Sequence, residues 1–285
     1  MVSAAAIAGA AHIASGRDVG SDPTLTLKRR QYNWQFYLQV AGVIVSRARS
    51  PRIEELAVVD FSKWYEGKEF STDWTSNNFP VWNACLASMR DRPLNILEIG
   101  SWEGRSAIFF LEYCPLSRIT CIDPWVNPPP EVTHSFCPPA NQIEQRFDAN
   151  TASYAGRVTK LKSISSKALI DLQDQKRSYD LIYIDGAHER DAVHVDSLLA
   201  WPLLKSGGTI IWDDYRWERK QPIETRPEEA INVFVASRRK EIKVLHVGHQ
   251  IVAQKVDGGR FDVRSAINSF ILGRLRQRKR SVKAA

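Results

Sequence analysis

The chain has 285 residues, enough for one large α/β domain with appendages, or at most two domains, and for a real buried core. Charged residues are 25% and hydrophobic ones 44%, the balance of an ordinary soluble globular protein rather than of a disordered one. The net charge of +7 is carried by residues 263–285, where Arg264, Arg274, Arg276, Arg278, Lys279, Arg280 and Lys283 stand with no acid. The rest is therefore near neutral, which excludes a basic groove across the fold as the main feature.

At the N-terminus the run MVSAAAIAGAAHIASG is apolar but lacks a basic leader region. It is too short and alanine-rich to span a bilayer, and reads as a weakly helical leader. Trp34–Val45 is apolar and reads as one side of a helix, so residues 1–50 are expected to be an N-terminal helical arm. Residues 51–258 are expected to form the main domain, with its sheet core in 95–256, and 259–285 a basic tail. Residues 51–92 carry helical patterning with a polar, aromatic break over Phe70–Pro80 (FSTDWTSNNFP).

The core begins at Asn95–Gly100 (NILEIG), a short apolar run stopped by glycine. Further runs follow at Arg118–Asp123, Val158–Ser163 (weaker), Tyr179–Gly186 and Gly207–Asp214. They do not alternate, which suits strands buried on both faces of a parallel sheet. Helix-length segments separate them: Arg105–Tyr113, Ser166–Leu172, Arg190–Leu204 and Pro227–Ser237. Lys243–Gly248 and Gln250–Val256 sit too close for a crossover helix and are expected to pair as an antiparallel hairpin. The pattern predicts a Rossmann-like doubly wound α/β sheet of seven strands, five parallel plus the C-terminal hairpin. Pro124–Asn150, with Pro128, Pro129 and Pro130, reads as a long loop over the carboxyl edge.

In open α/β sheets the ligand lies outside the carboxyl ends of the strands, so the residues that end each run matter most. The first run ends Glu98-Ile99-Gly100-Ser101-Trp102-Glu103-Gly104-Arg105-Ser106. Gly100 and Gly104 permit a sharp turn and close approach to a ligand. The sequence lacks the three-glycine fingerprint of dinucleotide binders, and Glu98 and Glu103 disfavour a polyanion there. They suit a sulfonium cation carrying an ammonium group. Asp123 ends the second run, where a carboxylate can accept both ribose hydroxyls; the alternative is a turn-forming Asp before Pro124.

Asp185, Asp213 and Asp214 end the next two strong runs. Acids on adjacent strand ends repel one another and raise their own pKa values, and a hard divalent cation such as Mg2+ relieves that. The alternative is that Asp213 or Asp214 caps the next helix and Asp185 touches only the cofactor. His188 follows Asp185 at the mouth of the same site, and an imidazole titrating near neutrality suits a general base. Nine tryptophans are many for this length, and Trp74, Trp102 and Trp125 are candidate pocket walls. Of the cysteines, Cys85, Cys114, Cys121 and Cys137, none are paired at metal-ligand spacing. They point to a reducing, cytoplasmic setting rather than a disulfide scaffold.

LEIGSWEGRS, CIDPW, YDLIYIDGAH and GGTIIWDDY, in this order, resemble class I S-adenosylmethionine methyltransferases, whose sheet is also five parallel strands and a hairpin. More narrowly they resemble the bacterial methyltransferase domain 24 type, related to metal-dependent catechol and macrolide-sugar O-methyltransferases. The likeness covers about residues 70–256. It implies S-adenosyl-L-methionine as cofactor: Glu98, Gly100, Ser101, Gly104 and Ser106 at its methionine end, Asp123 on the ribose, Ser165 near the adenine and Asp185 lining the site. It further implies Asp185, Asp213 and Asp214 as Mg2+ ligands and His188 as the catalytic base. Catechol enzymes carry Asn at the third metal position, where this chain has Asp214.

The expectation is O-methylation of a small-molecule or sugar hydroxyl, with Mg2+ lowering the acceptor pKa and His188 taking its proton. The rivals are a metal-free N- or RNA methyltransferase clamped by the basic tail, and a non-catalytic Rossmann-like binding module. Nucleic acid is the less favoured partner, since basic and aromatic residues do not interleave in the body. The tail is read as a solvated end with a weak membrane-surface contact as its alternative. Oligomeric state is not legible.

Overall fold

Strand β2, Asn95–Ile99, lies inside the sheet, between β3 (Arg118–Asp123) and β5 (Tyr179–Ile184), and is parallel to both. This is a computed structural model, and it describes residues 44–45, 60–126, 138–217 and 220–258. Beyond β3 lies β4 (Val158–Lys162), and beyond β5 lies β6 (Leu204–Trp212), both parallel. The hairpin of β7 (Ile242–Val247) and β8 (Ile251–Lys255) follows, with β8 antiparallel to both β6 and β7. The seven expected strands are thus present. An eighth, β1 (Ile44–Val45), adds parallel to β7, giving the order β1-β7-β8-β6-β5-β2-β3-β4. This corrects the helical reading of Trp34–Val45 at its last two residues; the remainder of the arm and the basic tail lie outside the described residues.

Both faces of the sheet are covered, which is why its runs do not alternate. Successive side chains point to opposite sides. Leu97, Ile99, Ile182, Ile184, Ile210 and Trp212 enter one core, with α4 (Ser165–Asp174), α5 (Arg190–Ala200) and α6 (Glu228–Ser237). Ile96, Leu181, Tyr183, Ile211 and Val252 enter the other, with α1 (Phe79–Leu86), α2 (Arg105–Tyr113) and α3 (Ala140–Thr151). The second core is aromatic: Phe109 stacks on Phe79 at 4.6 Å, and Trp82 on Phe110 at 4.8 Å. Edge strand β4 is only half-buried, so its run was the weakest in sequence.

Three boundaries differ from expectation. Helix α1 starts at Phe79, inside the predicted break, because Pro80 fits a first helical turn, where its missing N–H costs nothing. Helix α5 ends at Ala200 rather than 204; Trp201–Leu203 form a 3-10 turn around Pro202, and β6 starts at Leu204. The second half of the predicted loop 124–150 is helix α3. Its buried Ala140, Ile143, Phe147, Asn150 and Thr151 recur at helical spacing.

Candidate active site

Backbone hydrogen bonds continue the parallel ladder one residue past the strand ends. Gly100 N donates to Ile122 O (2.9 Å), Asp185 N to Ile99 O (2.8 Å) and Asp213 N to Ile184 O (2.9 Å). Asp123, Gly100, Asp185 and Asp213 therefore stand side by side on one edge. The strand order reverses direction between β2 and β5, which places a crevice at this edge.

On the β2–β3 side the glycine turn is tightly built. Gly100 has φ +83°, and a Cβ there would lie 2.0 Å from the Asp185 carbonyl oxygen. Gly104 has φ +84° and caps α2. One Asp123 carboxylate oxygen accepts from the N–H groups of Ser101 and Trp102, both at 3.0 Å, and the other from Trp125 N at 2.7 Å. Burial nonetheless raises the Asp123 pKa, against these three bonds. Glu98 is fully buried; its Oε1 accepts from Ser106 Oγ at 2.5 Å, while Oε2 has no hydrogen-bond partner among the described residues. Burial pushes this carboxyl up to about 7, and nearby Ser101, Ser106 and Cys121 counter it only in part.

On the β5–β6 side the acids gather. The Tyr183 hydroxyl faces two carboxylates, Asp185 at 2.8 Å and Asp213 closer still, with one hydrogen to give. Asp213 also accepts from Gln250 Nε2 (2.8 Å) and Asn78 Nδ2 (3.4 Å), and Trp82 Nε1 donates to Gln250 Oε1 at 2.7 Å. Burial first, then Asp213 and Asp214, pushes the Asp185 carboxyl well above the usual carboxylate range. Asp214 is raised by burial, with His188 opposing. Asp214 stands at φ +52°, a conformation that aspartate tolerates.

The basic side chains beside Asp213 and Asp214 among the described residues are two imidazoles. His188 Nδ1 lies 3.1 Å from Asp214 Oδ2, and the ring packs 4.7 Å from Trp217. His249 Nδ1 lies 3.7 Å from Asp213 and 3.8 Å from Asp214. Asp213 raises the His249 pKa, burial opposes it, and Asp214 adds to the rise. Two sets of ligand-capable atoms each lie within 4.8 Å: Asp185, His188 and Asp214; and Asp213, Asp214 and His249. Crowded carboxylates with imidazole nitrogen beside them are a donor set that fits a divalent cation.

Residues 97–215 match a family model described as "Methyltransferase domain". The strand order with its antiparallel C-terminal hairpin is that of the Rossmann-like methyltransferase fold. No curated protein matches the sequence. Among solved structures the domain is similar to MycE methyltransferase from the mycinamycin biosynthetic pathway. Its complex with Mg, SAH and mycinamycin VI gives TM-score 0.50 at 15% identity, covering 75% of this chain and 57% of that one. A second MycE structure, with Mg and SAH, gives 0.51 at 16% over the same shares. This chain thus spans little more than half the length of MycE. An O-methyltransferase from Bacillus cereus in complex with SAH gives 0.49 at 16%, covering 65% and 83%.

The fold brings Glu98, Gly100, Ser101, Gly104, Ser106 and Asp123 to one flank of the crevice, and Asp185, His188, Asp213 and Asp214 to the other. Ser165 opens α4, and its side chain hydrogen-bonds the Asp196 carboxylate. Glu103 departs from its expected role. It is fully buried, pairs with Arg146 at 2.7 Å and accepts from Ser71 N at 2.5 Å, so its charge is spent on Arg146 and the backbone at Ser71. Trp125 is also core, packed on Phe147, whereas Trp74 is exposed against Trp102 at 5.5 Å.

Sequence reading missed Tyr183, Asn78, Gln250 and His249. Tyr183 lies two residues before Asp185, on the same side of β5, a signal available from strand periodicity. The hairpin turn returns to the carboxyl edge because β7 runs with the parallel strands, so residues 248–250 had to land beside Asp213. Among the described residues no helix is long and apolar enough to cross a membrane.

Proposed function

We propose that this protein transfers a methyl group from S-adenosyl-L-methionine to a hydroxyl of a small molecule or sugar. The observation that carries the reading is the gathering of Asp185, Asp213, Asp214 and His188 beside the glycine turn. The family match supports methyl transfer, and the Mg and SAH in MycE support a cation and this donor. Both MycE likenesses are at low identity, so the acceptor class rests on the site itself.

On the donor flank, Glu98, Ser101, Ser106 and the glycine turn would meet the methionine end, Asp123 the ribose, and Ser165 the adenine side. On the other flank, Asp185, Asp213 and Asp214 would hold a divalent cation, which supplies Lewis-acid polarisation of the acceptor oxygen. His188, oriented by Asp214 and backed by Trp217, removes the hydroxyl proton. The oxygen lone pair forms the new C–O bond as the S–CH3 bond breaks, and that bonding pair returns to sulfur, leaving a neutral thioether. Most of the rate gain comes from holding the two reactants in line.

The test is release of S-adenosylhomocysteine, with a deuteromethyl donor marking the product by mass. His188→Ala is expected to keep donor affinity within about threefold and to lose about 10²–10⁴-fold in turnover. Near-normal turnover removes His188 as the base. Dialysis against EDTA is expected to abolish turnover, with recovery on adding Mg2+ or Mn2+; unchanged activity removes the cation.

A further inference from the structure

Two imidazoles face the acid cluster, and their distances differ in kind. His188 Nδ1 is 3.1 Å from Asp214 Oδ2, a hydrogen-bond separation. His249 Nδ1 stands 3.7 Å from Asp213 Oδ1 and 3.8 Å from Asp214 Oδ1, too far for a hydrogen bond to either. A nitrogen and an oxygen bound at about 2.1 Å to one ion stand about 3.0–4.2 Å apart, depending on the angle between them. His249 therefore has a co-ligand's separation from both carboxylates at once.

Its backbone is fixed there. Gly248 N donates to Gln250 O at 2.8 Å across the hairpin turn, and the Gln250 side chain is held by Asp213 and Trp82. The imidazole itself is about half exposed, 54%, so it can swing onto an ion without breaking the core.

We propose that His249 supplies its Nδ1 as a ligand to the cation held by Asp213 and Asp214, and that this nitrogen biases the site toward a transition-metal ion such as Mn2+ over Mg2+. Mg2+ is held almost wholly by oxygen ligands; Mn2+ also takes oxygen but accepts an imidazole more readily, and the later first-row metals more readily still. His188 is left free for proton transfer, so the two histidines divide the labour. The inference rests on the cation reading of the previous section.

His188 also lies within reach of Asp185 and Asp214, so the experiment has to separate the two rings. The full-length protein is loaded with Mn2+ and read by pulsed electron paramagnetic resonance for nitrogen modulation, with Mn2+ and Mg2+ affinities taken by calorimetry. Wild type and His188→Gln are expected to show nitrogen coupling. His249→Gln is expected to lose it and to bind Mn2+ about tenfold more weakly, with Mg2+ affinity changing less. Nitrogen coupling that persists in His249→Gln overturns the assignment. So does Mn2+ bound in wild type by oxygen alone, which leaves the cation reading standing. Failure to bind either ion takes down both.

Discussion

Glu98 places two opposed demands on one side chain. Its Oε1 is held by Ser106, and its Oε2 is buried with no donor among the described residues. Left ionised it costs the fold stability; presented with an ammonium group it becomes a binding site. Burial raises the carboxyl from 4.5 to about 7, so the folded protein binds the proton more tightly than the unfolded chain. The stabilising contribution is complete below about pH 4.5 and is lost as pH rises through about 7. A shift of that size corresponds to about 3 kcal/mol between the two limits. Glu98→Gln is therefore expected to be more stable than wild type at pH 8, by up to about 3 kcal/mol, with the advantage gone at pH 4.5. Donor affinity should fall in the same variant. Urea denaturation at the two pH values checks this, and a gap that does not change with pH would refute it.

The element that sets the crevice is the junction between β2 and β5, and Gly100 is its closest point. A methyl group there would meet the Asp185 carbonyl at 2.0 Å, and the backbone stands at φ +83°. Gly207, in β6, shares the left-handed conformation at φ +77° but has nothing within 4 Å of the added carbon. Gly207→Ala isolates the backbone strain, about 1–2 kcal/mol. Gly100→Ala adds a backbone collision that can be relieved only by moving β2 from β5, so it is expected to cost at least about 2 kcal/mol more and to abolish donor binding. Equal melting temperatures for the two variants would mean that the junction yields easily.

The strands, their order and the acids that end them were legible because buried parallel strands write themselves as unbroken apolar runs. Helix α3 was not, because Pro128–Pro130 and a polar surface hid its five buried positions. Ile44–Val45 was not, because a two-residue strand has no period to read. The acids of the rim were visible as residues. What reaches them from outside their own strands was hidden: Asn78 from before α1, and His249 and Gln250 from the hairpin turn. Those contacts depend on where the sheet puts a turn, not on any local spacing. Glu103 failed for the same reason, its partner Arg146 lying 43 residues away.

Across the whole molecule, the sheet turns separate strand ends into one edge with two chemically distinct flanks. The donor flank is built by β2 and β3, and the acid flank by β5, β6 and the hairpin. No described side chain is shared by the ligand sets proposed for the two flanks except Asp185, which lies between them. Ligands that bind only the folded protein stabilise it by mass action, about 2.7 kcal/mol at a hundred times the dissociation constant. For a domain of this size that is a rise of about 5–10 °C in Tm. S-adenosylhomocysteine and Mn2+ are each expected to raise Tm, and together to raise it by close to the sum. EDTA should remove only the metal increment. In Asp213→Asn/Asp214→Asn the metal increment should vanish while most of the S-adenosylhomocysteine increment stays, because the glycine turn and Asp123 are untouched. A metal increment that survives the double substitution would place the cation elsewhere on the protein, and loss of both increments would mean that the flanks form a single site rather than two.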